Sequence, residues 1–215
     1  MPQSKYVFLK GGYFMELLVI RHGESEADLL GVHEGRADFP LTEEGEKQAS
    51  KMATYIEKHY PPNIILTSPL KRANRTATLL QESIGCELIM ENDLMEFNNG
   101  VLAGLSRKEA AIKYPLPKGG RPAHVPIQNG ESELEFRFRV DGIFHKILYE
   151  YQHYERIAIV SHGGTISNLL KAFLKQPMNS EFIFPTGDTG IHLLEIKENA
   201  RIIRFLNKQE HLNGI

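Results

Sequence analysis

Two histidines of this chain each follow directly on a short apolar run. Residues 16–20 precede Arg21-His22-Gly23, and residues 156–160 precede Ser161-His162-Gly163-Gly164. An apolar run of this length is typical of a buried parallel strand, and open α/β sheets bind ligands beyond the carboxyl ends of such strands. An imidazole in that place can act as a nucleophile or transfer a proton. The two segments therefore predict a site at one edge of a sheet.

Two arginines add the capacity to bind phosphate. Arg21 directly precedes the first of these histidines, and Arg72 follows a second strand-like segment at residues 63–66. A guanidinium group is a planar fork that matches the oxygens of a phosphate. Backbone N–H groups at the helix start near His162 and Gly163 would add a further anion-binding group. Together these residues predict phosphoryl binding beside an imidazole.

Glu96 supplies a carboxyl group that could exchange protons at such a site. It comes a few positions after a third strand-like segment at residues 87–90. Taken alone, an acid of this kind usually lies in solvent, and a lone histidine usually has a structural role. The repeated pattern of a strand followed by a charged turn is what favours a catalytic anion site.

The hydrophobic pattern predicts alternating strands and helices. Such alternation indicates a three-layer α/β sandwich with a mostly parallel central sheet, an antiparallel edge strand from the final pair, and helices on both faces. Residues 26–41 are interpreted as an irregular loop, and residues 97–130, rich in proline, as a cap-like insertion over the site. Strands are predicted at 16–20, 63–66, 87–90, 156–160, 189–196 and 201–206, and helices beginning at Thr42, Pro69, Ser106 and Ser132 and over 165–174.

Composition is that of an ordinary globular protein. The 215 residues, 41% hydrophobic and 24% charged with a net charge of −2, suit one domain and give no basic footprint for nucleic acid. The single cysteine, Cys86, cannot form an internal disulfide, and no apolar run is long enough to cross a membrane. We therefore expect a cytoplasmic protein that binds neither nucleic acid nor membrane. Residues 1–14 are interpreted as an N-terminal extension, and residues 15–215 as a single domain.

Six ordered motifs resemble those of branch 1 of the histidine phosphatase superfamily, the phosphoglycerate-mutase-like proteins. The resemblance runs from Met15 to about Leu206. Any single motif would be weak, but their order and spacing make the set specific. The motifs are Arg21-His22-Gly23-Glu24-Ser25, Gly35 to Thr42 with Gly45, Gln48 and Ala49, Ser68 to Ala77, Leu94-Met95-Glu96 with Gly100 and Gly104, Gly130-Glu131-Ser132 with Arg139, and Ser161-His162-Gly163-Gly164.

The resemblance implies a role for each candidate residue. His22 would attack phosphorus and form a phosphohistidine, and Glu96 would protonate the leaving oxygen and then activate water. Arg21, Arg72 and a protonated His162 would stabilise the charge on the phosphoryl oxygens. The implied reaction uses no metal and no other cofactor. The remaining candidates for phosphate or substrate binding are Gly163, Ser25, Asp28 and Thr189.

A nucleophilic His22 must be neutral. The surrounding cations would disfavour its protonation, and a hydrogen bond from its other ring nitrogen to the carbonyl of Gly23 would fix the tautomer. Because His22 must be neutral while Glu96 begins as an acid, we expect an acidic-to-neutral pH optimum.

Three positions depart from the pattern of the superfamily. Asp28 stands where an asparagine is common. Beside phosphate it could swing away, pair with Arg21 or Arg36, or accept a hydrogen bond from a substrate hydroxyl. Residues 101–104 replace the more usual Gly-x-Trp-Glu-Gly continuation, which alters the pocket wall. Thr189 lies near the place of another common asparagine, and we expect its hydroxyl to serve there.

Three functions remain open from the sequence. The favoured one is a phosphomonoesterase acting on a small phosphorylated metabolite, because Gly163-Gly164 and the short chain differ from the mutases of the superfamily. The alternatives are a cofactor-dependent phosphoglycerate mutase and a non-catalytic binder of phospho-ligands or phosphoproteins. A homodimer is compatible with the sequence, which leaves the oligomeric state open.

Overall fold

The computed structural model describes residues 14–198 and 200–213, so residues 1–13 of the expected extension lie outside the described part. Phe14, the last residue of that expected extension, is already the first residue of the sheet. The strands are β1 (Phe14–Arg21), β2 (Ile64–Thr67), β3 (Glu87–Met90), β4 (Arg156–Ser161), β5 (Ile191–Lys197) and β6 (Ala200–Lys208). The helices are α1 (Glu26–Leu30), α2 (Glu43–His59), α3 (Lys71–Ile84), α4 (Arg107–Lys113), α5 (Glu133–Glu150) and α6 (Gly163–Phe173).

One six-stranded sheet has the order β3-β2-β4-β1-β5-β6. Strands β3, β2, β4 and β1 pair in parallel, whereas β5 runs antiparallel to both β1 and β6. The prediction of a mostly parallel sheet that ends in an antiparallel pair is therefore confirmed. In the register of the parallel strands, Arg21 pairs with Ser161 and Thr67 pairs with Val160. The carboxyl ends of β2, β4 and β1 thus lie side by side.

Helices cover both faces of the sheet, as the alternation predicted. Side chains of a strand alternate between faces, so Leu17 and Val19 of β1 belong to one core while Leu18 and Ile20 belong to the other. Helices α5 and α6 close the first core, and α2 and α3 close the second. All four of these β1 side chains are essentially without solvent exposure. Burial on both faces explains why β1 is a continuous apolar run.

Two loops differ in detail from the expectation. The stretch 26–41, expected to be irregular, begins with the short helix α1. Gly31, the residue that caps the end of this helix, has a left-handed backbone conformation. The cap-like stretch 97–130 contains α4 and a 3-10 turn at Gly100–Leu102, with irregular chain elsewhere. The helix predicted to begin at Ser106 is confirmed as α4, and a capping box of Ser106 and Glu109 forms its start. Within the described residues, none of the helices has the length and apolar character needed to cross a lipid bilayer.

Two phenylalanines of α5 provide a matched test of the core. Phe144 is 1% exposed between α5 and the sheet, whereas Phe138 on the same helix is 75% exposed. Phe144→Ala should lower the free energy of unfolding by about 3–5 kcal/mol, because it leaves a cavity. Phe138→Ala should change it by less than about 0.5 kcal/mol. Urea denaturation of both variants measures the difference, and equal effects would contradict the assignment of this face.

Candidate active site

The site lies at the carboxyl ends of β1, β4 and β2. Pairing continues one residue beyond the strands, since the His22 N–H donates to the Ser161 carbonyl at 3.0 Å and the Ser68 N–H donates to the Val160 carbonyl at 3.1 Å. His162 follows Ser161 directly. The sheet therefore brings both histidines together, and their ring centroids are 5.1 Å apart with 1% exposure of each residue.

The ring of His22 is held in one tautomer. Its Nδ1 lies 2.7 Å from the carbonyl oxygen of Gly23, which can only accept, so Nδ1 carries the proton. Its Nε2 accepts a hydrogen bond from Nε of Arg72 at 3.3 Å. The Nε2 lone pair consequently faces the guanidinium group of Arg72.

Arg72 is fully buried, and the loop before α2 holds it. Its two terminal nitrogens donate to the carbonyl oxygens of Gly35 at 2.8 Å and Ala37 at 3.1 Å. These bonds explain why the Gly35 to Thr42 motif accompanies the arginine motif, because the loop sets the direction of the guanidinium group. A buried charge of this kind requires such compensation.

Burial and positive charge keep both imidazoles neutral. Burial lowers the pKa of His22 well below its usual value, and the charges of Arg72 and Arg21 lower it further. Burial likewise lowers the pKa of His162, and the charge of Arg72 lowers it further. The expectation of a protonated His162 is therefore corrected for the protein without a bound anion. The Ser68 hydroxyl lies 2.8 Å from Nε2 of His162, and Nδ1 has no partner within the described part of the chain.

Arg21 is engaged by carboxylates. It donates to the Thr186 carbonyl at 2.8 Å and lies 3.2 Å from Asp188 and 3.7 Å from Asp28. Asp28 also accepts from the Ser25 N–H at 2.9 Å. Of the three arrangements expected for Asp28, the structure shows the ion pair with Arg21.

Glu96 lies at the amino end of α6. Its carboxyl oxygens accept from the N–H groups of Gly164 at 2.8 Å and Phe97 at 2.7 Å. The sequence indicated anion-binding backbone N–H groups near Gly163. In the structure, the N–H of the next residue, Gly164, binds the carboxyl group of Glu96. A Cβ at Gly164 would lie 2.6 Å from this carboxyl, which explains the need for glycine there. Arg139 fixes the backbone, since it donates to the Glu96 carbonyl at 3.3 Å.

The hydroxyl of Thr189, expected to bind phosphate or substrate, contacts other protein groups instead. Its hydroxyl lies 2.8 Å from both the Asp188 carbonyl and Nε2 of His211. Its N–H donates to the carbonyl of His22 at 3.1 Å, and its φ of 51° is left-handed. The structure therefore brings Thr189 to the histidine through its backbone.

Glu34 is a site residue that sequence reasoning missed. One carboxyl oxygen lies 3.0 Å from Nε of Arg72 and accepts from the hydroxyl of Ser25, and the other lies 3.8 Å from Nε2 of His22. The only sequence signal was its position immediately before Gly35, the first residue of a recognised motif. Within residues 14–198 and 200–213, no group of three or more His, Cys, Asp or Glu side chains is arranged to hold a metal ion.

Comparison with known proteins identifies the class of protein. The family model described as "Histidine phosphatase superfamily (branch 1)" matches residues 17–209. The chain belongs to this superfamily, as its motifs predicted.

Individual relatives have different names. Phosphoserine phosphatase 1 of Hydrogenobacter thermophilus is 28% identical over 201 residues, which cover 92% of this chain and 94% of that protein. "Probable phosphoglycerate mutase GpmB" of Escherichia fergusonii is 31% identical, with 86% of each chain covered. The crystal structure of the alpha-ribazole phosphatase from Shigella flexneri has a TM-score of 0.81 at 29% identity, covering 91% of this chain and 97% of that one.

The neutral state of the site histidines can be measured directly. In phosphate-free protein, His22 and His162 should remain neutral at pH values below the ordinary pKa of an imidazole, because burial and nearby arginines lower their pKa values. Ring-nitrogen NMR over a pH titration reports each tautomer and charge. Protonation of either buried ring at the ordinary pKa of an imidazole would contradict this account of the site.

Two helical glycines test the placement of Glu96. Alanine at the exposed Gly142, where a Cβ meets no neighbour, should raise the free energy of unfolding by about 0.5–1 kcal/mol through its helix preference. Gly164→Ala should instead lower it by about 1–2 kcal/mol, since the methyl group displaces the Glu96 carboxyl from its N–H donors. Chemical denaturation compares the two, and stabilisation by both changes would show that Glu96 lies elsewhere.

Proposed function

We propose that this protein is a metal-independent phosphomonoesterase that acts through a phosphohistidine on a small phosphorylated metabolite. One observation carries the proposal: the Gly23 carbonyl holds the proton on Nδ1 of His22, so the Nε2 lone pair faces the buried Arg72. This is a neutral nucleophile beside a fixed cation, the arrangement that attack on a phosphate ester requires.

In the first step, Nε of Arg72 exchanges its hydrogen bond to Nε2 of His22 for one to a phosphoryl oxygen. The freed lone pair of Nε2 forms a bond with phosphorus while the bond from phosphorus to the ester oxygen breaks. Arg72 and Arg21 stabilise the charge on the phosphoryl oxygens. Glu96 delivers a proton to the leaving oxygen, which departs as an alcohol. The negative charge on the phosphoryl oxygens also favours a proton, taken from solvent, on His162.

In the second step, water attacks the phosphohistidine. Glu96 accepts a proton from this water, the bond between phosphorus and nitrogen breaks, and inorganic phosphate leaves. The chain's own residues fill every role in this scheme. The protein would thus share the chemistry named for relatives such as the phosphoserine phosphatase, with a substrate that a metabolite panel must identify.

A phosphoglycerate mutase is the second candidate, because a relative named for that activity is 31% identical over 86% of the chain. A mutase passes the phosphoryl group to another hydroxyl, whereas a phosphatase passes it to water. The third candidate is a non-catalytic binder of phospho-ligands or phosphoproteins, because the acids near both arginines, Asp28, Glu34 and Asp188, would weaken the stabilisation of a reacting phosphoryl group.

Hydrolysis assays with a histidine variant distinguish these functions. The wild-type protein with a chelator should release phosphate from p-nitrophenyl phosphate and from part of a phosphorylated-metabolite panel, and His22→Ala should lower kcat at least about 10³-fold. His145→Ala, an exposed histidine on α5, is the matched control and should keep full activity.

Acid-quenched wild-type protein should also carry a phosphoryl group that is labile in acid and absent from His22→Ala. Transfer between the hydroxyls of phosphoglycerate without net release would indicate the mutase. Phosphate binding without turnover would indicate the binder, and either result would overturn the proposal.

A further inference from the structure

Glu34 uses the same partners that the proposed function gives to a phosphoryl group. Its Oε1 accepts from the Ser25 hydroxyl and lies 3.0 Å from Nε of Arg72, and its Oε2 lies 3.8 Å from Nε2 of His22. A phosphate monoester positioned for attack by His22 must bring an oxygen to Arg72. An ionised Glu34 would then lie against a second anion.

Two anions at such a distance repel each other strongly, even at the effective dielectric constant of a protein surface. The Glu34 side chain is only 18% exposed, so water screens this repulsion poorly. Burial raises the pKa of Glu34, while the charge of Arg72 and the hydrogen bond from Ser25 lower it. Other charged or titratable groups that face this carboxyl are Asp28, which raises its pKa, Arg21, which lowers it, and His22.

We propose that Glu34 is a specificity-determining residue that couples anion binding in this site to the uptake of one proton. In the neutral carboxyl, Oε1 still accepts from the Ser25 hydroxyl and stays beside Nε of Arg72, and the proton on Oε2 is donated to an oxygen of the bound anion. A fully ionised anion requires this proton to come from solvent, whereas a monoanionic ester brings the proton with it and needs none from solvent. The identity of the anion as a phosphoryl group rests on the proposed function.

Glutamine is the isosteric test of this arrangement. Its amide oxygen can accept the hydrogen bond that Oε1 of Glu34 accepts from Ser25 and can lie as close to Nε of Arg72, so the fold of the loop is maintained. Its NH₂ group donates to the anion permanently, as the protonated carboxyl does only at lower pH. Glu34→Gln should therefore bind anions well without taking up the extra proton.

Inorganic sulfate is the probe, because it keeps both negative charges between about pH 5 and pH 8 and cannot be hydrolysed by this chemistry. Isothermal titration calorimetry, in buffers of different ionisation enthalpy, would measure its affinity and proton uptake for wild-type protein, Glu34→Gln and Glu26→Gln. Glu26 is an exposed acid of the neighbouring α1 and serves as the control. Both site histidines are present in all three proteins, so a difference confined to Glu34→Gln is an effect of position 34.

At pH values above the pKa of Glu34, the ratio of wild-type to Glu34→Gln sulfate affinity should fall about tenfold per pH unit. In the same range, wild-type protein should take up about one proton more than Glu34→Gln when sulfate binds. Below that pKa the two affinities should converge, and Glu26→Gln should follow the wild type throughout. Parallel profiles for wild type and Glu34→Gln, equal proton uptake, or absence of sulfate binding at every pH would each overturn the proposal. Sulfate binding needs no turnover. The phosphatase assays can therefore fail without changing the outcome of this binding experiment.

Discussion

Parallel pairing of β2, β4 and β1 is the constraint on which the site depends. The register sets Arg21 opposite Ser161 and Thr67 opposite Val160, so the turns after these strands begin at one level. A slip by one residue would exchange the two faces of a strand and expose half of its apolar side chains. The two cores on either side of the sheet therefore secure the position of both histidines.

Burial then determines the chemistry of these side chains. A solvated imidazole would be partly protonated near neutral pH, but desolvation and the two arginines keep His22 neutral. The same burial would be costly for Arg72 without partners, and the carbonyls of Gly35 and Ala37 supply them. The loop between β1 and α2 is thus as important to the surroundings of His22 as the strand that carries it.

Charge within the site is more balanced than its arginines alone suggest. Arg21 meets Asp28 and Asp188, and Arg72 meets Glu34. Glu96 in turn takes the N–H of Gly164 at the amino end of α6. Any anion that binds beside these arginines would therefore lie close to carboxyl groups as well as to cations.

The strand and helix pattern, the superfamily and most of the residues at the site could be predicted from the sequence. Apolar runs of strand length, and the motifs that follow them, depend only on the order of nearby residues along the chain. The short helix α1, the neutral state of His162, the backbone role of Thr189 and the place of Glu34 were decided only by the tertiary structure. These features depend on distances between segments far apart in sequence and on how much water each group loses on folding. Spacing along the chain carries no information about either quantity.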